Sequence, residues 1–273
     1  MSTPGRFYDD LATDYHLVYV DWSDAVRRQG SVLARLIRER AGSDTRSVLD
    51  CACGIGTQAI GLALQGFVVR GTDISPKAVA RARAEAADFG VDISFGIADF
   101  RRLDREVEGQ YDAVICCDNS LPHMLTDDDM CLALRGMRGK VRAGGLLVVG
   151  VRDYDALAVE RPHATMPLVM EREKGRSITF QVWDWAENGE SYALSLFVLE
   201  ESAGVWHTRC HTTTYRALRR AELDEFLERA GFEDVRWHGP EETGHYQPLV
   251  TARGPRRDGK RKGPPAWTPS TRT

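Results

Sequence analysis

The stretch Val48-Leu-Asp-Cys-Ala-Cys-Gly-Ile-Gly-Thr-Gln58 constrains this chain more than any other. Residues 47–51 are small, apolar or β-branched and predict a short buried strand. Gly54 and Gly56 follow, and glycine permits both a tight turn and a close backbone approach to a ligand. Residues 59–64 continue as the apolar start of a helix. Strand, glycine turn and helix in succession cradle a nucleotide in an open parallel sheet. A lone G-x-G also fits an ordinary strand-to-helix turn, so the residues that follow decide between the two.

Residues 67–71 predict a second strand, closed by Thr72-Asp73-Ile74-Ser75. An acid at the carboxyl end of the second strand can accept hydrogen bonds from ribose hydroxyls. The spacing from Asp50 to Asp73 fits one strand–helix–strand unit. The glycine pattern lacks the third glycine of the dinucleotide fingerprint, and it is not a phosphate-binding G-x-x-x-x-G-K-[ST] loop. The pattern D-x-A-C-G-x-G-T resembles the first motif of the class I methyltransferases that use S-adenosylmethionine. The resemblance implies that Asp50, Ala52, Gly54 and Gly56 border the amino-acid part of that cofactor. It implies also that Asp73, with Ile74 and Ser75, holds the ribose.

The N-terminal segment up to Trp22 is crowded with Tyr8, Tyr15, His16 and Tyr19. Such a segment packs on something, either as a helix capping the sheet or as a lid over a ligand. Ser23 or Asp24 is the expected cap of a helix with the apolar face Val26, Leu33, Leu36 and Ile37, which Gly42 stops. Strands are expected at 47–51, 66–71, 91–96, 110–116 and 146–151, alternating with helices at 57–65, 75–88 and 126–138. That alternation indicates a doubly wound parallel sheet. Four further strands, at 167–172, 177–185, 190–200 and 205–215, follow with no helix between them. Turns such as Asn188-Gly189 join them into an antiparallel meander. A helix at 220–230 and strands at 232–238 and 244–253 resemble the hairpin that closes the class I methyltransferase sheet. The expected fold class is therefore α/β: a doubly wound, Rossmann-like, seven-stranded sheet with an antiparallel β-meander insertion after strand five. The chain divides into an N-terminal lid and helix (1–45), a cofactor-binding core (46–160) and the meander on the substrate side (161–217). A closing helix with two strands (218–253) and a polar, Pro/Gly-rich tail expected to be disordered (254–273) complete it.

In such a sheet the ligand lies outside the carboxyl ends of the strands. Asp99-Phe100 there resembles the family's adenine position. Tyr111-Asp-Ala-Val-Ile-Cys-Cys-Asp-Asn-Ser-Leu-Pro-His123 resembles the glycine and sarcosine N-methyltransferases. Their fourth strand ends in a similar stretch, with Asn-Ser and a His three residues beyond the Ser; here these are Asn119, Ser120 and His123. Cys117 follows that strand and is expected at the cofactor. Residues 144–155 resemble the fifth strand of the same family, with Asp153 in place of an Asn. The resemblance covers about residues 8 to 155. It implies that Asn119 and Arg152 hold the carboxylate of an amino-acid substrate, a task suited to the planar fork of arginine. An ion pair of Arg152 with Asp153 or Asp155 is the structural alternative. Arg28 stands where the family binds the cofactor carboxylate, and Tyr8, Tyr15 and Trp22 resemble its N-terminal lid more loosely. The family has glycine where this chain has Asp118, and the added carboxylate favours a cationic or hydroxylated substrate and works against a small carboxylate one. His123 is either a general base, since its unperturbed pKa lies near neutrality, or a structural histidine of the loop.

The expected activity is S-adenosylmethionine-dependent methyl transfer to a small-molecule acceptor, an amine or amino acid, with S-adenosylhomocysteine as product. O-methylation of a hydroxylated metabolite is the alternative. Nucleic-acid methylation is disfavoured because residues 118–123 are not the Asn/Asp-Pro-Pro-aromatic stretch of base methylation. The charge argues the same way: the net is −4, and the tail, with six Lys/Arg and one Asp, carries +5, leaving −9 elsewhere. The six cysteines have no metal-site spacing and are expected to be small buried thiols of a reduced compartment. No apolar run has the length of a membrane span, and the N-terminus lacks a signal-peptide core, so a cytoplasmic location is expected. A homo-oligomer is allowed.

Overall fold

The computed structural model describes residues 3–172 and 175–256. The expectation for the tail therefore falls, from residue 257 onward, outside the described residues. In chain order the elements are α1 (Pro4–Leu11), α2 (Trp22–Ala41), β1 (Ser47–Asp50), α3 (Thr57–Leu64), β2 (Val68–Asp73), α4 (Pro76–Asp88) and β3 (Ser94–Ile97). Next come α5 (Leu103–Glu106), β4 (Tyr111–Cys116), α6 (Asp127–Lys140), β5 (Val141–Gly150) and α7 (Tyr154–Glu160). Four strands without intervening helices follow: β6 (Leu168–Arg172), β7 (Gly175–Trp185), β8 (Ser191–Ser202) and β9 (Val205–Arg216). The chain returns through α8 (Arg220–Arg229), β10 (Glu233–His238), α9 (Pro240–Thr243) and β11 (Leu249–Arg253).

Among the described residues the main sheet has seven strands in the order β10-β11-β5-β4-β1-β2-β3. β11 pairs antiparallel with β5 and β10, and the other neighbours pair in parallel. β6 to β9 form a separate four-stranded antiparallel sheet, the expected insertion after strand five. The central strands read as unbroken apolar runs because both of their faces are covered. Leu49, Val114, Cys116, Leu147 and Val149 join the core shared with the insertion sheet, whereas Val48, Ala113, Ile115, Leu146 and Val148 join the core under α2 and α3. Successive side chains of a strand point to opposite faces, so one run builds both cores.

Helix α2 buries Val26, Leu33, Leu36 and Ile37 as its spacing predicts. It lies so close to α3 that a Cβ on Gly30 would meet the Gly61 carbonyl carbon at 2.3 Å. Ser75 caps α4, accepting from the Ala78 amide at 3.0 Å, and Pro76 begins the helix with a fixed φ and no amide to satisfy. The cap of α2 is Asp21 rather than Ser23 or Asp24, and it accepts from the Asp24 amide at 2.9 Å. Two strand expectations are also corrected. β5 begins at Val141, earlier than 146, because the chain before the glycine pair already pairs with Tyr111. Residues 244–248 are a loop and not a strand: Gly244 is left-handed at φ +77°, and Pro248 has no amide to offer a ladder. Five cysteines are buried as expected, while Cys210 on β9 is exposed.

Candidate active site

From β1 the chain winds outward to β2 and β3, then returns to β4 on the other side of β1. That reversal opens a crevice at the carboxyl ends of β1 and β4, the place where doubly wound sheets bind ligands. The glycine turn leaves β1 at this point, with φ +52° at Gly54 and +97° at Gly56. A Cβ on Gly56 would come within 2.9 Å of Ile60, so the turn requires glycine there. Gly54 N donates to Asp73 Oδ2 at 2.8 Å and Ser75 N to Oδ1 at 2.9 Å. Burial pushes the Asp73 carboxyl up, against the backbone N–H groups that favour its charged form. An ionised carboxylate has about four acceptor positions, so about two remain for ribose hydroxyls.

Beside the turn lies a cavity of about 650 Å³ whose walls include Arg28, Tyr15, Asp118, Asn119 and Arg152. Asp118 and Asn119 are both left-handed, at φ +54° and +63°. Each costs roughly 1 kcal/mol or more for a residue with a Cβ. The turn is held by Asn119 N donating to Gly150 O at 3.0 Å. Asn119 Oδ1 accepts from Arg152 N at 3.2 Å and from the Tyr154 hydroxyl at 3.0 Å, which aims the amide. Its Nδ2 is buried with no partner among the described residues. The Arg152 guanidinium donates to the Tyr192 hydroxyl at 2.5 Å and to Gln181 Oε1 at 3.2 Å. It lies 4.7 Å from the centre of the Trp183 ring and 5.3 Å from that of Tyr215. Among the described residues no carboxylate is within ion-pair distance of it. Asp153 and Asp155 instead pair with Arg220, at 2.9 and 3.5 Å, so the internal ion pair is ruled out.

Some of the expected site residues stand elsewhere. Trp22 turns into the core, where its Nε1 donates to Thr57 Oγ1 at 2.9 Å and its ring meets Phe89 edge-on. It braces the helix after the glycine turn and does not line the cavity. His123 is buried between the N-terminal segment and the insertion sheet: its Nε2 is 3.0 Å from the Tyr8 hydroxyl and its Nδ1 is 3.5 Å from Thr213 Oγ1. Burial drives its pKa down to about 3, with the Arg152 charge acting the same way against a contact from the Thr214 backbone. A base that weak, spent on a hydrogen bond, suits a structural bridge and not proton removal near neutrality. Asp99 is gripped by Arg101 through two nitrogens, at 3.0 and 2.6 Å to Oδ2, and Phe100 starts the turn behind it. The Cys117 thiol is buried, and its carbonyl accepts from Ser120. Ile74 and Ser75 lie under α1: Asp9 accepts from Ser75 Oγ at 2.5 Å, and a Cβ on Gly5 would sit 3.7 Å from Ile74. Asp50 is buried, with Oδ1 accepting from Ala52 N at 3.3 Å.

Tyr246 and Gln247 also line the cavity, from the loop before β11, as do Gln181 and Tyr215 from the insertion. These contributors were not singled out from sequence. The only signal for the first pair was Pro248, which should have ended the supposed strand.

The strand order, the glycine turn and the acid after β2 converge with a direct match of residues 48–145 to the methyltransferase-domain family. Residues 48–145 form a class I S-adenosylmethionine-dependent methyltransferase domain. S-adenosylmethionine is its cofactor, and the residues present fit it. The glycine turn offers bare backbone, Asp73 has unused acceptor positions, and the buried Asp50 Oδ2 has no partner among the described residues. The chain is 36% identical over 138 residues to the glycine/sarcosine N-methyltransferase of Parasynechococcus marenigrum (strain WH8102), covering 50% of this chain and 48% of that protein. It is 33% identical over 165 residues to the glycine N-methyltransferase of Homo sapiens, covering 56% and 55%. It thus spans about half the length of the curated relatives it matches. The solved sugar N-methyltransferase KedS8 of Streptoalloteichus shares the fold, with a TM-score of 0.71 at 20% identity over 89% of this chain and 93% of that one. Among the described residues no helix is long and apolar enough to cross a membrane.

Proposed function

We propose that this chain N-methylates a small amino acid whose carboxylate rests on Arg152 and Asn119. One observation carries the reading: a guanidinium without a carboxylate partner and an amide nitrogen without any partner border the same cavity beside the glycine turn. A half-buried cation is costly unless it is compensated, and a bound carboxylate compensates it. The relatives named for glycine and sarcosine support the same acceptor class.

S-adenosylmethionine supplies an electrophilic methyl group when bound. The protein's part is to align the acceptor nitrogen and to keep water out. Arg152 fixes the acceptor by two parallel bonds, and its own direction is set by Tyr192 and Gln181. Tyr8, Tyr15 and Tyr19 cover the cavity from the N-terminal side. His123 stays neutral and holds Tyr8 in that cover. The incoming ammonium gives up a proton before the nitrogen attacks, and His123 is not the group that takes it.

The test is release of S-adenosylhomocysteine with glycine, sarcosine and β-alanine, set against amines and phenols that lack a carboxylate. Turnover should be confined to the amino acids. Arg152→Lys keeps the charge and loses the fork. It should lower kcat/KM roughly 10- to 100-fold, the scale of one charged hydrogen bond, and barely alter cofactor affinity. An unchanged acceptor KM together with a lower Tm would return Arg152 to a structural role.

A further inference from the structure

We propose that Asp118 is the receptor for the acceptor's ammonium group, so that Asp118 and Arg152 together select a zwitterion. This rests on the carboxylate reading for Arg152 but adds a second, independent anchor. The Asp118 carboxylate lines the same cavity as Arg152. Its Oδ2 accepts from the Tyr19 hydroxyl at 3.0 Å, and its Oδ1 accepts from the Tyr246 hydroxyl. Both donors are neutral phenols. They aim the carboxylate and leave its charge uncompensated, since no Lys or Arg among the described residues is within ion-pair distance of it.

The cavity is therefore bordered by an anion and a cation that have no ion-pair partner among the described residues, Asp118 and Arg152, beside Asp21 and the exposed Asp24–Arg28 pair. Asn119 follows Asp118 directly and accepts from the Arg152 amide at 3.2 Å, which ties the two charges to one short turn. Two consecutive left-handed residues with side chains keep that turn, at φ +54° and +63°. Backbone strain that the surroundings hold in place marks functional sites. Glycine at 118 would relieve the strain and remove the charge. A ligand that answers both charges carries both an ammonium and a carboxylate.

Three probes separate the anchors: methylammonium carries the cation alone, acetate the anion alone, and sarcosine both. Each is titrated by NMR onto the protein saturated with S-adenosylhomocysteine. Sarcosine should bind at least tenfold more tightly than either half. Asp118→Asn should weaken sarcosine and methylammonium about tenfold, while acetate binds as well or better because a like charge is gone. Arg152→Gln should weaken sarcosine and acetate and spare methylammonium. Failure of the acetate arm alone would sink the Arg152 reading and leave Asp118 standing. Asp118 is overturned if methylammonium and sarcosine fail to bind the wild type, or bind the Asp118→Asn variant equally well. It is also overturned if that variant loses S-adenosylhomocysteine affinity instead, since Asp118 would then hold the cofactor's own ammonium.

Discussion

Asp50 ends β1 with one carboxylate oxygen on the Ala52 amide and the other buried without a partner among the described residues. Burial raises its pKa to about 8; Asp73 and Asp118 push the same way, and the Ala52 hydrogen bond opposes them. In the unfolded chain an aspartate titrates near 3.9. Between about pH 4 and pH 8 the native protein therefore keeps a proton that the unfolded chain has lost. Stability without ligand should fall as pH rises through this window, by at most about 1.4 kcal/mol per pH unit from this group. Asp50→Asn should flatten the slope of urea-unfolding free energy between pH 5 and pH 8 and leave the protein more stable at pH 8. An equal slope in both proteins would mean Asp50 is ionised when native. The position of Asp50 was legible in the glycine motif, but its protonation was not, because that depends on what surrounds the carboxylate.

The N-terminal segment is strapped down at three places. Asp9 binds the start of α4, and Arg81 donates to the Ala12 and Thr13 carbonyls at 2.7 and 2.8 Å. Asp14 accepts from Arg209 Nε at 2.5 Å and contacts His211 Nε2 at 3.3 Å, which joins the segment to β9 of the insertion. Burial pushes the Asp14 carboxyl up, yet hydrogen bonds from His211 and Arg209 win and hold it below the usual range. The strap is therefore in force above the ordinary carboxylate pKa and is lost as pH falls through the lowered one. Arg209 is partly solvated, so the strap contributes on the order of 1–2 kcal/mol. Asp14→Asn should speed amide exchange in α1 and residues 15–18 about tenfold, with β1 and β4 unchanged. Unchanged exchange in α1 would mean that the apolar contacts of Phe7 and Leu11 alone hold the segment. Phe7 and Leu11 are core residues that also border the cavity, as Tyr8 and Tyr15 do.

At the scale of the whole molecule, main sheet, insertion and N-terminal segment enclose one cavity, so a ligand there ties all three together. S-adenosylhomocysteine at a hundredfold over its Kd should raise unfolding free energy by about 2.7 kcal/mol, read by urea titration. Gly54→Val should abolish that increment, because a β-branched side chain at φ +52° blocks the backbone approach. An undiminished increment in the variant would move the cofactor away from the turn.

The sequence by itself determined the parts whose cause is local. A strand, a glycine turn and an acid one βαβ unit later specify a cradle, because each needs only its neighbours' backbone geometry. The Asn188-Gly189 turn specifies a hairpin for the same reason. Tertiary structure decided the rest. Arg152 is left without a carboxylate among the described residues because Asp153 and Asp155, its neighbours in the chain, pair with Arg220 from a helix 65 to 67 residues later. His123 loses its basicity because Tyr8 and Thr213, remote on either side, bury it. Tyr246 reaches Asp118 only because β11 pairs beside β5 and carries its preceding loop over the end of β4. Charge compensation and desolvation depend on which distant groups arrive, and a linear pattern does not record who arrives where.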